Sequence, residues 1–159
     1  MSEARDLQNR YAPANRCFGC GPSNPLGLQI HSIPLGDGAD DEVQLDWTPA
    51  EHHLAFEGML NGGIIGALMD CHSNWTATWH LMRRDGLDAP PCTVTADFHV
   101  KLKRPTPVDR PVRVMARAVE SEGNWVTVEA TMTSDGEVTA TCRGRFVAVK
   151  PGHPAYHRW

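Results

Sequence analysis

No stretch of this 159-residue sequence approaches the length of apolar run that a membrane-spanning helix needs. The opening residues, Met1-Ser2-Glu3-Ala4-Arg5-Asp6, carry no apolar signal region. Neither membrane insertion nor export is therefore expected. An excess of one charge is missing too: the net charge is −4, and although twelve of the fifteen basic residues follow position 80, nothing motivates a nucleic acid or an anionic membrane as partner. Cysteines are few, odd in number and scattered (17, 20, 71, 92 and 142), which excludes a disulfide framework and suggests a reducing, cytoplasmic setting. Internal repeats, low-complexity tracts and internal boundaries are absent. With 41% hydrophobic and 21% charged residues, the chain reads as one domain over 1–159 with a sizeable core, an N-terminal extension over 1–16 and an irregular tail over 150–159.

What is present is one long segment of helical periodicity, beginning near Gly62 and running to about Leu81. Ile64, Leu68, Cys71, Trp75, Trp79 and Met82 follow the i, i+3/i+4, i+7 rule and predict one apolar stripe. Gly66, Asp70, Ser73 and Ala77 fall on another side, a small-residue flank carrying one carboxylate. The glycines Gly62 and Gly63 stand where the helix begins, and the first amides of a helix lack intrahelical partners. Bare amides at the positive end of a helix suit an oxyanion, and an acid nine residues after Asn61 adds the second ingredient of acyl-transfer chemistry.

Around that helix the pattern is sheet. Leu28 and Ile30, then Val43, Leu45 and Trp47, alternate with polar residues and predict two short strands joined through Leu35-Gly36-Asp37-Gly38. Thr48–Phe56 reads as a loop into the helix. Beyond it, Val94, Ala96, Phe98, Val100 and Leu102 are expected to face one way and Thr95, Asp97, His99, Lys101 and Lys103 the other. Strands at about 112–120, 125–133 and 138–149 follow, the last two joined by a hairpin turn at Ser134-Asp135-Gly136-Glu137. The order predicts an α+β fold, one long helix against a mainly antiparallel six-stranded sheet. A helix flank of small residues and open sheet edges call for a second copy of the chain. Cys17 and Cys20 have the spacing of half a zinc site, but no second such pair exists and His52, His53 or His72 would have to close it, so the pair is expected to hold no metal. His72, at the edge of the stripe, reads as a packed histidine.

Three pieces, CFGCGPSNPLGLQI (17–30), HLAFEGMLNGGIIGALMD (53–70) and VKLKRPTPVD (100–109), resemble the hotdog-fold thioesterases, specifically the phenylacetyl-CoA thioesterase-like (PaaI-like) group. The resemblance covers roughly residues 17–149. It implies a hotdog fold and an acyl-CoA thioesterase that needs no cofactor. The catalytic carboxylate then falls on Asp70, as general base or nucleophile, and the oxyanion-hole amide on Gly62, beside Gly63. A hydroxyl that helps orient water falls near Thr95. It also implies sites shared between the subunits of a homodimer, possible assembly into a dimer of dimers, and coenzyme A phosphates near basic residues, for which Lys103 and Arg104 are the local candidates. Two departures stand out: Asn61 occupies the position before the glycine pair that is commonly His, and Ala55 replaces an amide side chain. Asn61 can still donate to a thioester carbonyl, and His52 or His53 can stand in for the lost amide. Asn74, one turn beyond Asp70, is a candidate partner for it. Two other readings stay open: a hotdog enoyl-CoA hydratase or dehydratase using His53 with Asp70, and an acyl-CoA-binding module without turnover.

Overall fold

In the computed structural model, residues 5–157 are described; the ends of the expected extension and tail, 1–4 and 158–159, lie outside the described residues. A short helix α1 (Leu7–Tyr11) leads to strands β1 (Ile33–Pro34) and β2 (Val43–Trp47). The hairpin β3 (Leu54–Phe56) and β4 (Met59–Leu60) precedes helix α2 (Gly62–Asp85). Four long strands complete the chain: β5 (Thr93–Leu102), β6 (Val112–Glu122), β7 (Trp125–Ser134) and β8 (Glu137–Ala148). Six of the strands form one antiparallel sheet in the order β1-β2-β6-β7-β8-β5, and α2 packs across it. This is the α+β architecture expected. Among the described residues, no helix is long and apolar enough to cross a membrane.

Local chemistry sets the element ends. Asn61 caps α2, its Oδ1 accepting from the Ile64 amide at 3.1 Å. At the other end Gly86 takes the left-handed conformation, φ 64°, and the Leu87 amide donates back to the Met82 carbonyl at 2.9 Å. The helix thus runs one turn beyond Leu81. The turn at 134–137 falls where expected, with Asp135 and Gly136 both at positive φ, as a two-residue hairpin turn that matches strand twist requires.

Several expectations are corrected. Leu28 and Ile30 are buried, but they lie outside any strand, because Gln29 sits at φ 55°, incompatible with a β ladder. The Gln29 amide instead donates to the carbonyls of Gly21 and Asn24, closing the preceding loop. The stretch 48–56 is not all loop: it holds a single 3₁₀ turn, Glu51–His53, and strand β3. On α2, Ser73 and Ala77 are fully buried within the chain. The half-open flank is Gly63, Gly66, Ala67, Asp70 and Asn74, and Ile65 and Met69 are buried where Ile64 and Cys71 are only partly so.

The largest correction concerns β5. A bulge at Ala96 breaks the alternation, since Thr95 pairs Phe146 and Asp97 pairs the adjacent Arg145. Thr95 therefore shares the helix side of the sheet with Val100, which packs on the core, and Leu102, which lies beside Gly62. Five residues separate Thr95 from Val100, an odd spacing that only an extra residue in the strand allows.

Candidate active site

Asp70 stands at the middle of α2, half-buried, and the Thr95 hydroxyl donates to its Oδ1 at 2.6 Å. Burial raises the Asp70 pKa above the usual carboxylate value, offset in part by the Thr95 hydrogen bond. Both residues line a cavity of about 610 Å³ together with Arg16, Cys17, Asn74 and Thr93. Asn74 does not reach Asp70, contrary to the sequence expectation. Its Oδ1 accepts from the Thr93 hydroxyl at 2.6 Å and its amide donates to the Thr93 carbonyl at 3.4 Å. Thr93 and Thr95, two apart on one face of β5, thus tether the two polar side chains of the half-open helix flank.

Gly62 and Gly63 sit at the first turn of α2. Among the described residues their amides find no acceptor, whereas the Asn61 amide donates to the His53 carbonyl and the Ile64 amide to Asn61 Oδ1. Two N–H groups at the positive end of a 24-residue helix are therefore without an acceptor among the described residues. Capping uses the oxygen of Asn61 and leaves its amide nitrogen as a donor. Gly62 lines a second, apolar groove of about 350 Å³ with Ala55, Phe56, Leu102, Lys103 and Arg104. Arg104 is exposed and paired to Glu137 at 2.6 Å, and Lys103 is exposed.

His53 belongs to neither cavity. Its Nδ1 accepts from the Ala50 amide at 2.9 Å, and its ring lies 5.1 Å from Trp47 and 4.2 Å from His52. Burial, then the neighbouring His52 charge, lowers its pKa. His72 is fully buried, one nitrogen bonded to Ser32 Oγ at 2.8 Å and the other to the Val43 carbonyl at 3.0 Å, with its pKa depressed to about 4 by burial. It is a packed histidine, as its place on the stripe suggests.

Eight residues along a helix span about 12 Å, so Asp70 and the Gly62 amide of one chain stand about two turns apart. Each sits in its own cavity.

Sequence reasoning missed the sulfur chemistry of the Asp70 cavity. Cys71 joins Cys17 and Cys20, the three sulfurs lying within 4.8 Å of one another. Thiol–thiol hydrogen bonding among the three, in which either sulfur of the Cys17–Cys71 pair can donate, moves the Cys17 pKa down and those of Cys20 and Cys71 up. The available signal was Cys71 on the helix stripe, but one helical position does not tell which loop lies over it.

A family model described as the thioesterase superfamily matches residues 57–141. No curated protein matches the sequence. Among solved structures, one described as a thioesterase superfamily protein is 24% identical with a TM-score of 0.65, the match covering 87% of this chain and 63% of that one; this chain therefore spans less than two thirds of its length. A thioesterase superfamily protein from Shewanella loihica is 23% identical (TM-score 0.63), with 76% of this chain and 91% of that one covered. The PaaI protein of the E. coli phenylacetic acid degradation operon is 13% identical (TM-score 0.65), with 77% and 81% covered. What these likenesses share with the present chain is the hotdog fold.

Proposed function

The chain belongs to the thioesterase superfamily, and from that premise we propose that it hydrolyses acyl-coenzyme A thioesters of small or medium acyl groups, aromatic ones included, to the free acid and coenzyme A. The observation that carries the reading is Asp70: a carboxylate half-buried mid-helix, oriented by Thr95 and opening on a cavity large enough for an acyl thioester. Its raised pKa moves it toward the range in which a carboxylate takes protons at neutral pH.

In the proposed reaction Asp70 takes a proton from water as the water oxygen attacks the thioester carbon. The carbonyl oxygen, now negative, is held by the Gly62 amide of the partner copy, with the Gly63 amide and the Asn61 nitrogen beside it. Collapse breaks the carbon–sulfur bond, and the departing thiolate regains the proton from Asp70. Direct attack by Asp70, giving an anhydride that water then opens, uses the same residues. Thr95 fixes the carboxylate and Asn74 lines the acyl end. Lys103 and Arg104 flank the Gly62 groove as candidates for the coenzyme A phosphates, which would draw Arg104 from Glu137. His53, held by Ala50 and Trp47, supports the entry to α2. One catalytic domain over residues 1–159, paired as a homodimer and open to association as a dimer of dimers, in the cytoplasm, completes the reading.

The test is a panel of short, long and aromatic acyl-CoAs assayed for released thiol, with wild type and Asp70→Asn. We expect turnover of at least one class by the wild type, and a fall in kcat of about 10²–10⁴ for Asp70→Asn with KM nearly unchanged. Wild-type hydrolysis matched by Asp70→Asn refutes the site. Solvent ¹⁸O entering the protein during a single turnover selects the nucleophilic route.

A further inference from the structure

Beside Asp70, two elements far apart in sequence bring together three thiols. Cys17 and Cys20 lie in the loop before β1, and Cys71 follows Asp70 on α2. The Cys17 and Cys71 sulfurs are 3.9 Å apart. Zinc bonds thiolate sulfur at about 2.3 Å, so two sulfurs on one tetrahedral zinc lie about 3.8 Å apart. The Cys17–Cys71 pair is at coordination spacing, and the Cys20 sulfur lies within 4.8 Å of both.

The surroundings are built for the same purpose. The loop reverses within one turn, the Gly21 amide donating to the Cys17 carbonyl at 2.9 Å. A Cβ on Gly19 would collide with the Cys71 sulfur, so a glycine is what admits the third thiol. The Trp75 indole N–H, one turn further along α2, donates to the Cys20 sulfur at 3.3 Å, the kind of outer hydrogen bond that orients a metal-bound thiolate. No imidazole is available to the cluster from His72, whose nitrogens are both engaged by Ser32 and Val43.

We propose that Cys17, Cys20 and Cys71 bind one zinc ion as three thiolates, with the fourth position supplied from the Asp70 cavity by water or a ligand. Binding exchanges three S–H bonds for three Zn–S bonds and releases three protons to solvent; no electron moves. Soft thiolate donors select zinc over magnesium or calcium. The ion fastens the loop of residues 17–20 to α2 one residue beyond Asp70, which makes it a positioning device for that wall of the cavity. The expectation of a metal-free pair rested on the lack of a further ligand, and Cys71 is that ligand. The inference stands apart from the thioesterase reading, because metal content is measured without any assay of turnover.

The test uses full-length, tag-free protein, stripped with chelator under reducing conditions and reloaded with zinc or cobalt(II) alone. We expect about one equivalent per chain after dialysis and, for cobalt, a near-ultraviolet thiolate-to-metal charge-transfer band with the visible bands of a tetrahedral site. Cys71→Ser should lower that band and weaken affinity by roughly a hundredfold or more, while Cys142→Ser, in β8, leaves both unchanged. Should Cys71→Ser fold poorly, Cys17→Ser gives the same readout from an exposed loop position. Zinc should also raise the melting temperature of the wild type and not of Cys71→Ser. Retention of less than about a tenth of an equivalent by the wild type, or indistinguishable cobalt spectra for Cys71→Ser and Cys142→Ser, overturns the site.

Discussion

At the scale of single residues, the pair Asp70 and Thr95 decides most. A carboxylate at partial burial gains from each hydrogen bond that selects one rotamer, and the 2.6 Å bond from Thr95 is the one such bond drawn from the sheet. Thr95→Val keeps the β-branched shape and removes the donor. A hydrogen bond to a charged group is worth about 1.5–3 kcal/mol, so kcat should fall roughly ten- to a hundredfold, less than for Asp70→Asn, with KM little changed. Steady-state kinetics on the best acyl-CoA checks this, and a wild-type kcat would mean that the bond does not orient the reacting carboxylate. The places of Gly62 and Asp70 on α2 were legible in the sequence because a 3.6-residue period and a glycine pair at a helix start are local facts. The Asn74–Thr93 pair was not legible. Nothing within one turn of α2 states which strand residue will compete with Asp70 for the Asn74 side chain.

At the scale of elements, the same contrast separates helix from sheet. The start of α2 and the hairpin turn at 134–137 announce themselves through the Gly62-Gly63 pair and the Asp135-Gly136 dipeptide. The bulge at Ala96 does not, since a period-two pattern continues to look like one when a residue is inserted, and every side chain beyond it changes face. Strand status for Leu28–Ile30 failed for a related reason: burial alternates correctly while Gln29 turns the backbone left-handed. The short helix α1 shows how a marginal element is held. Five residues are too few for a helix to stand alone. Asp6 caps it by accepting from the Asn9 amide at 2.9 Å and also bonds His31 at 3.1 Å. Burial works against the Asp6 charge, but the bonds from His31 and Asn9 outweigh it and hold its pKa at about 2, and the His31 pKa is raised in turn by Asp6.

The signs define a window. The Asp6 contribution is present above its unfolded value of 3.8 and is lost as pH falls toward about 2; that of His31 is present below 6.5 and is lost as pH rises through its raised folded value. Both act together between those limits. Asp6→Asn retains an oxygen to cap the helix and removes the charge. Its penalty in melting temperature should therefore be larger at about pH 5 than at about pH 9. Equal penalties at the two values would assign the whole effect to capping.

For the whole molecule, the open question is what covers the flank of α2 and the free edge of β5. That edge strand pairs only β8, and Phe98 and Leu102 on it are 43% and 58% exposed, with Leu54 and Phe56 of the neighbouring hairpin at 46% and 62%. Long apolar edges in water invite pairing, and a second copy would let one thioester meet both Asp70 and Gly62 as proposed. Gly66 discriminates between a bare chain and a pair. Within one chain a Cβ at that position meets nothing within 4 Å, so a larger residue should cost nothing there and a better helix former should add up to about 1 kcal/mol. In a dimer packed flank to flank the added side chain enters the space of the other helix, where overpacking costs about 1–3 kcal/mol per copy. We therefore expect wild type to be dimeric at micromolar concentration by light scattering, and Gly66→Leu to keep or raise the stability of the chain while raising the dimer dissociation constant at least about tenfold. Thiol release should fall in step with dimer population rather than with folded fraction. A monomeric wild type that turns over, or a Gly66→Leu variant with unchanged assembly and activity, would place the site within one chain and leave the bare amides of Gly62 and Gly63 without a role.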